Sequence, residues 1–136
     1  MRIAVFLLLL CPFVGCRQSM KSNRPEEANR VSDHFYIKGQ LGYDSYAFCS
    51  VVPEDVPYAY KVGKWKYWNL DGQLVAEGVF RLDTQVVRDH GGCPYSFRVG
   101  KIDRDSWRFW DKNGLPFHPA NTFIEELESC KTILIK

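Results

Sequence analysis

A mainly β fold, an antiparallel sheet of successive hairpins with one short C-terminal helix, is what this 136-residue sequence predicts, and three features predict it. The first is an internal repeat. In residues 63–78, GKWKYWNLDGQLVAEG, the set Trp65, Tyr67, Trp68, Asn69, Asp71 and Gly72 is matched position by position by Trp107, Phe109, Trp110, Asp111, Asn113 and Gly114. All four tryptophans fall within these two motifs, which ties the pairing to architecture rather than to composition. The second is alternation: on a strand, Trp65 and Tyr67 project to one side while Lys64, Lys66 and Trp68 project to the other. Asp71-Gly72 then supplies the turn of a hairpin, and residues 74–82 the return strand. The third is aromatic load, 20 rings of Trp, Tyr and Phe. On a twisted sheet each ring can bury on the order of 150–250 Å² against the next hairpin.

Taken in order, the chain begins with Arg2 and an apolar run over residues 3–10, continued by Cys11, Pro12, Phe13 and Val14. Residues 1–15 have the outline of a secretory signal peptide. The run is shorter than the roughly 20 apolar residues that span a bilayer, and polar sequence follows it. Cys16, directly after Phe13-Val14-Gly15, resembles the cysteine of a bacterial lipobox. That resemblance implies a lipoprotein, lipidated at Cys16 and held to the membrane by acyl chains at ~0.8 kcal/mol per buried methylene. The plainer alternative is a cleaved signal with an incidental cysteine. Arg17 is not an inner-membrane retention signal of the aspartate type, so the expected location is the cell envelope, at the outer rather than the inner membrane. Residues 16–32 hold almost no large apolar side chains, and a segment that buries so little cannot offset its ordering entropy. They are expected to form a flexible tether, with the folded domain over residues 33–136.

Without Arg2 the chain carries 17 basic and 16 acidic groups, a formal charge of +1. Arg98, Lys101, Arg104 and Arg108 are interleaved with Asp103 and Asp105, a mixed solvated face. Nucleic acid is therefore excluded as a partner, because phosphate binding draws on clustered Lys and Arg.

Within the domain, residues 34–40 and 45–52 read as strands bounded by Gly39, Gly42 and Pro53, and residues 53–57 as a loop. Tyr58-Ala59-Tyr60 feeds the first repeat strand. Residues 85–88 and 95–99 are two short strands flanking the turn His90-Gly91-Gly92. In the second copy Asn113-Gly114 is the turn and Pro116 follows, so that return strand should be short or at an edge. Thr122-Phe123-Ile124-Glu125 has the form of a capping box that starts a helix, with Phe123, Leu127 and Cys130 on one face. Residues 132–135 prolong the helix or form a last strand; so short an apolar run does not decide.

The stretches WKYWNLDGQLVAEG and WRFWDKNG resemble the MORN-like repeat of many bacterial proteins, a variant often labelled as a YwqK-type antitoxin component and also carried by lipoproteins of unknown function. The resemblance covers residues 58–117 and implies a sheet of successive MORN-like hairpins. The two copies lie 42 residues apart, nearly twice the usual repeat length, so residues 83–103 would contain a heavily altered copy with strand turns at Gly78 and Gly100. For function the resemblance implies a neutralising or immunity-type protein, which the export signal disfavours, since a toxin would have to be met outside the cytoplasm.

Three cysteines follow Cys16: Cys49, Cys93 and Cys130. In an oxidising compartment one disulfide is expected and three pairings are open. Cys93 with Cys130 is the pairing chosen, because both follow turn or helix elements that could be tied to the sheet. His90 and Cys93 have a spacing that zinc accepts, with Cys130, Cys49 or His34 as further ligands, but the second paired motif of a structural zinc site is missing. Cys93 with His90 or His118 formally offers a nucleophile and base, yet no activating helix start surrounds it. Asp89 and His90, as neighbours on a strand, point to opposite faces. No metal, cofactor or catalytic residue is assigned, and a zinc or thiol enzyme is the weakest reading. What remains is a non-catalytic β-sheet module that binds a protein or an envelope polymer through an aromatic and basic face. The candidates for that face are Tyr58, Tyr60, Trp68, Arg108 and Trp110, and membrane attachment comes through the lipid anchor.

Overall fold

The computed structural model describes residues 24–28, 30–48, 54–88, 93–130 and 133–134. The signal segment, Cys16 and most of the expected tether lie outside the described residues. Among the described residues, seven strands, one turn of 3-10 helix and one α-helix follow in order: β1 (Arg30–Val31), β2 (Tyr36–Phe48), β3 (Glu54–Trp68), β4 (Leu74–Val87), β5 (Tyr95–Ile102), the 3-10 turn Arg104–Ser106, β6 (Arg108–Phe109), α1 (Asn121–Ser129) and β7 (Ile133–Leu134). The strands form one antiparallel sheet in the order β5-β4-β3-β2-β1-β7, with β6 pairing on β4. Mainly β with a short C-terminal helix is therefore the fold.

The two repeat copies build the same turn. Asn69 N–H donates to the Gln73 carbonyl and Asp111 N–H to the Leu115 carbonyl, each at 2.8–2.9 Å. In both, the side-chain oxygen of the first residue accepts the N–H four residues on, Asn69 from Gln73 and Asp111 from Leu115. The glycine at the fourth position has positive φ in both, Gly72 at 84° and Gly114 at 77°. Positive φ costs glycine little, so the motif fixes a chain reversal wherever it occurs. Each copy also buries a tryptophan and the aromatic residue two positions later as a stacked pair. Trp65 stacks on Tyr67 with ring centres 6.0 Å apart, and Trp107 on Phe109 at 6.1 Å. These rings, with Phe35, Ile37, Ala76, Phe80, Ile124 and Leu127, make the core.

Several expectations are corrected. Ala28 and Ser32 are buried and Arg30–Val31 is a strand, so the fold starts before residue 33 and takes in the end of the expected tether. The strands expected over residues 34–40 and 45–52 are not separate where described: one strand, β2, runs through Gly39 and Gly42 to Phe48, and residues 49–52 lie outside the described residues. Gly39 stands where the Trp65 indole lies, and a Cβ there would come within 2.0 Å of the ring. Its lack of a side chain reads as a break in sequence and is a packing socket in space. Glu54 to Pro57 belong to β3, not to a loop, and Pro57 is tolerated because this half of β3 pairs with β2 alone and leaves its other edge unpaired. Residues 74–82 and 85–88 merge into β4. No turns occur at Gly78 and Gly100, which lie inside β4 and β5. Gly78 is the socket of the Trp107 ring, as Gly39 is for Trp65. The capping box does not form: Ala120 is the N-cap and makes no side-chain bond, while Thr122 is already in the helix. Of the closing residues, Ile133–Leu134 form β7, paired with β1, and the second return strand is reduced to a single bridge of Trp110 with Pro116.

Candidate functional site: a tyrosine cleft between two ribbons

Beyond the core the sheet divides. β3 pairs with β4 only from Gly63 to Trp68; its first half pairs with β2 alone, and β4 from Phe80 onward pairs with β5. Gly63 has φ 70° at the point of divergence, beside the register shift between Lys38 and Gln40. Two two-stranded ribbons result, and β5 packs back over the first. Gly100 sits against the Lys61 carbonyl so closely that a Cβ would lie 2.4 Å from it. The ribbons face one another through rings. Tyr46 of β2 stacks on Tyr95 of β5 at 4.5 Å and 14°, Tyr58 of β3 meets Phe97 edge-on at 6.1 Å, and Tyr60 lies 6.0 Å from Tyr58. All five are only partly buried. They line a cavity of about 570 Å³ with Leu41, Lys61, Arg98, Glu128 and Cys130 among its walls, within the size range of small-molecule sites.

The polar groups of the cleft are largely committed. Lys61 is buried, and its Nζ donates to the carbonyls of Leu127 and Glu128, the latter at 3.0 Å, in the last turn of α1. A cation there satisfies carbonyls the helix leaves unpaired and complements the helix dipole. The same ammonium lies 5.5–5.7 Å from the ring centres of Trp65, Tyr67 and Phe80. Burial pulls its pKa down to about 8, although Cys130 and Glu128 act to raise it. Tyr67 donates its hydroxyl to the Leu127 carbonyl at 3.0 Å, and burial raises its pKa well above the usual value. Lys61 and Tyr67 thus pin α1 to the sheet.

The outer edge of β5 is capped as well. Arg98 N–H donates to the Tyr58 hydroxyl at 2.8 Å, and Ile102 N–H to Glu128 Oε1 at 2.8 Å, with Lys101 Nζ 2.9 Å from the same carboxylate's other oxygen. The Arg98 guanidinium reaches Asp44 at 3.7 Å and Tyr60 at 3.5 Å.

The five residues expected to form one binding face are divided by the structure. Tyr58 and Tyr60 lie in the cleft. Trp68 is buried, at 7% exposure, where the β3–β4 register shifts so that it pairs with Leu74. Arg108 and Trp110 line a separate hollow with Trp107, Pro116 and His118, and Arg108 is exposed and paired with Glu77 at 2.8 Å. A single face of all five is therefore corrected. Sequence reading missed Tyr46, Tyr95 and Phe97, which come from other strands; their alternate spacing in YSF hints at a shared face, but not at the partner ribbon.

The disulfide expectation is corrected too. Cys93 is disulfide-bonded while Cys130 keeps its thiol, so Cys93 and Cys130 are not joined, and the partner of Cys93 lies outside the described residues. Cys130 is held at the end of α1 beside the core instead. In a disulfide Cys93 has no thiolate to offer to zinc or to a substrate; His90 lies outside the described residues. His118 is exposed, and His34 pairs with Glu126 at 3.3 Å. Among the described residues no group of three His, Cys, Asp or Glu could hold a metal ion, and no helix is long and apolar enough to cross a membrane. Compared with protein-family models, with curated proteins and with solved structures, the chain matches none.

Proposed function

We propose that this chain is a lipid-anchored protein of the bacterial cell envelope whose β domain is a non-catalytic binding module, with the tyrosine cleft as its site. The observation that carries the reading is the cleft itself: five partly buried rings from three strands, gathered around one open cavity, apart from the sealed core rings Trp65, Tyr67, Phe80 and Trp107. Rings that hold a ribbon together without being covered offer apolar area at little entropic cost, which suits recognition. The polar groups nearby are bound to one another rather than poised for proton transfer, which favours binding over catalysis.

Attachment follows from the N-terminal sequence. Lipidation at Cys16 anchors the chain, and the outer membrane is the preferred location. Membership in the MORN-like repeat family is part of the same proposal and is supported by the equal hydrogen bonding of the two turns. The test is co-sedimentation with isolated bacterial envelopes. A Cys16→Ala chain, lacking its own anchor, should lose acyl mass yet still sediment with envelopes, and Tyr46→Ala with Tyr95→Ala added should leave it in the supernatant. Retention of the quadruply altered ring set Tyr46, Tyr58, Tyr60 and Tyr95 on envelopes would sink the reading.

A further inference from the structure

Resting on the reading of the cleft as a binding site, the geometry points to its ligand class: an uncharged pyranose chain, bound by stacking of sugar faces on Tyr46, Tyr58, Tyr60, Tyr95 and Phe97. An extended peptide that adds to a sheet edge needs main-chain donors and acceptors in register. On β5 the Arg98 and Ile102 N–H groups are already held by the Tyr58 hydroxyl and Glu128 Oε1, and the unpaired edge of β3 is crossed by Gly100 of β5, packed against the Lys61 carbonyl. An anionic ligand needs an uncompensated cation. Lys61 is spent on the Leu127 and Glu128 carbonyls, and Arg98 faces Asp44. A lipid tail calls for an apolar lining without hydroxyls, whereas four of the five rings are tyrosines.

A neutral polyhydroxylated ring fits all three constraints. Its axial C–H groups form an apolar face that packs flat on an aromatic ring, and its equatorial hydroxyls both donate and accept. Around the rim, the phenolic hydroxyls can do the same, and the Arg98–Asp44 pair places a planar donor beside a planar acceptor. The cavity of about 570 Å³ is open and runs between the ribbons, which admits a chain rather than a single enclosed sugar.

The probe is the β-1,4-linked tetramer of N-acetylglucosamine, titrated into the full-length protein in mild detergent by calorimetry, with tyrosine ring resonances followed by NMR. Saturable binding is expected, at least tenfold weaker in Tyr46→Ala and in Tyr95→Ala, restored by Tyr46→Phe, unchanged in Arg108→Ala and insensitive to salt. Circular dichroism and melting temperature show whether each variant is folded, and Tyr46→Phe keeps the test valid if an alanine variant is not. No binding of this tetramer or of the glucose tetramer, or binding unmoved by loss of the rings, overturns the inference. If instead a proline-rich decapeptide binds with the same tyrosine dependence, the sugar assignment fails and the cleft stands as a site. If neither probe binds and envelope sedimentation also ignores the tyrosines, both fail.

Discussion

The aromatic core around Trp65, Tyr67, Phe80 and Trp107 and the aromatic cleft around Tyr46, Tyr58, Tyr95 and Phe97 are made of similar contacts, with ring centres 5.0–6.1 Å apart in the first and 4.5–6.5 Å in the second. They differ in what covers them. Leu127 and Ile124 of α1 close the core, where Trp65 is 1% exposed and Tyr67 is fully buried. The cleft lies past the end of that helix, between ribbons only two strands wide. Residue choice follows cover: indoles and a phenyl ring dominate where the surroundings are dry, tyrosines where one end of the ring meets water. The same contact geometry is therefore sealed in one place and left partly open in the other, where the proposed function puts the binding site.

The largest expected effect would break the comparison from the core side. Trp65→Ala removes a buried indole and should cost about 3–5 kcal/mol, read as a fall in the urea midpoint at constant m-value. Gly39→Ala approaches the same ring from below and should cost about 1–3 kcal/mol or more, since the backbone of β2 must give way to seat the methyl group. In the cleft, by contrast, Tyr46→Ala loses a partly exposed stacked pair and should cost only about 0.5–1.5 kcal/mol. A cleft variant as damaging as Trp65→Ala would erase the distinction between the two clusters.

A pH experiment sharpens the boundary between them, where Lys61 sits. Its folded pKa is pulled down to about 8 from the ordinary 10.5. Between these values the unfolded chain holds a proton that the folded chain has released, so this group makes stability rise with pH across that window. The groups facing its ammonium are Glu128, Tyr67 and Cys130, from α1, its end and β3. Comparing chemical denaturation at about pH 7.5 and about pH 9.5, the native chain should gain stability relative to Lys61→Met. Equal pH responses would show that the ammonium is not desolvated by the helix.

The smallest effect concerns the repeat turns. Asp111 accepts from Leu115 and Asn113 N–H groups, and these bonds lower its pKa. That contribution is present above the ordinary carboxylate range and is lost as pH falls through the lowered value. Asp111→Ala should lower the melting temperature slightly at neutral pH, and the difference from the native chain should shrink in acid.

The core was legible in the sequence because its signals are local. Trp65 and Tyr67 alternate, Asp71-Gly72 and Asn113-Gly114 reverse the chain, and Leu127 shares a helix face with Phe123; each needs only a few neighbouring residues to be read. The cleft was only half legible. Tyr58 and Tyr60 were visible as candidates, but joining them to Tyr46, Tyr95 and Phe97 requires the divergence of two ribbons at Gly63, a property of register that no short window contains. Glycine misled for the same reason. Gly39 and Gly78 were read as punctuation, and their true role is set by indoles from other strands. Trp68, placed by strand alternation on the face opposite Trp65 and Tyr67, stands apart from the main core cluster and is buried all the same, a cover that alternation within β3 does not reveal.

On the proposed reading, the cleft rings recognise a ligand while the core rings hold the fold. The most direct measurement takes one protein, the Tyr46→Ala/Tyr95→Ala double variant built in the anchorless Cys16→Ala chain, through thermal unfolding and envelope co-sedimentation side by side. The expected result is a cooperative transition within a few degrees of the native chain together with loss of sedimentation. A variant that unfolds cooperatively and still sediments as the Cys16→Ala chain does would contradict this reading.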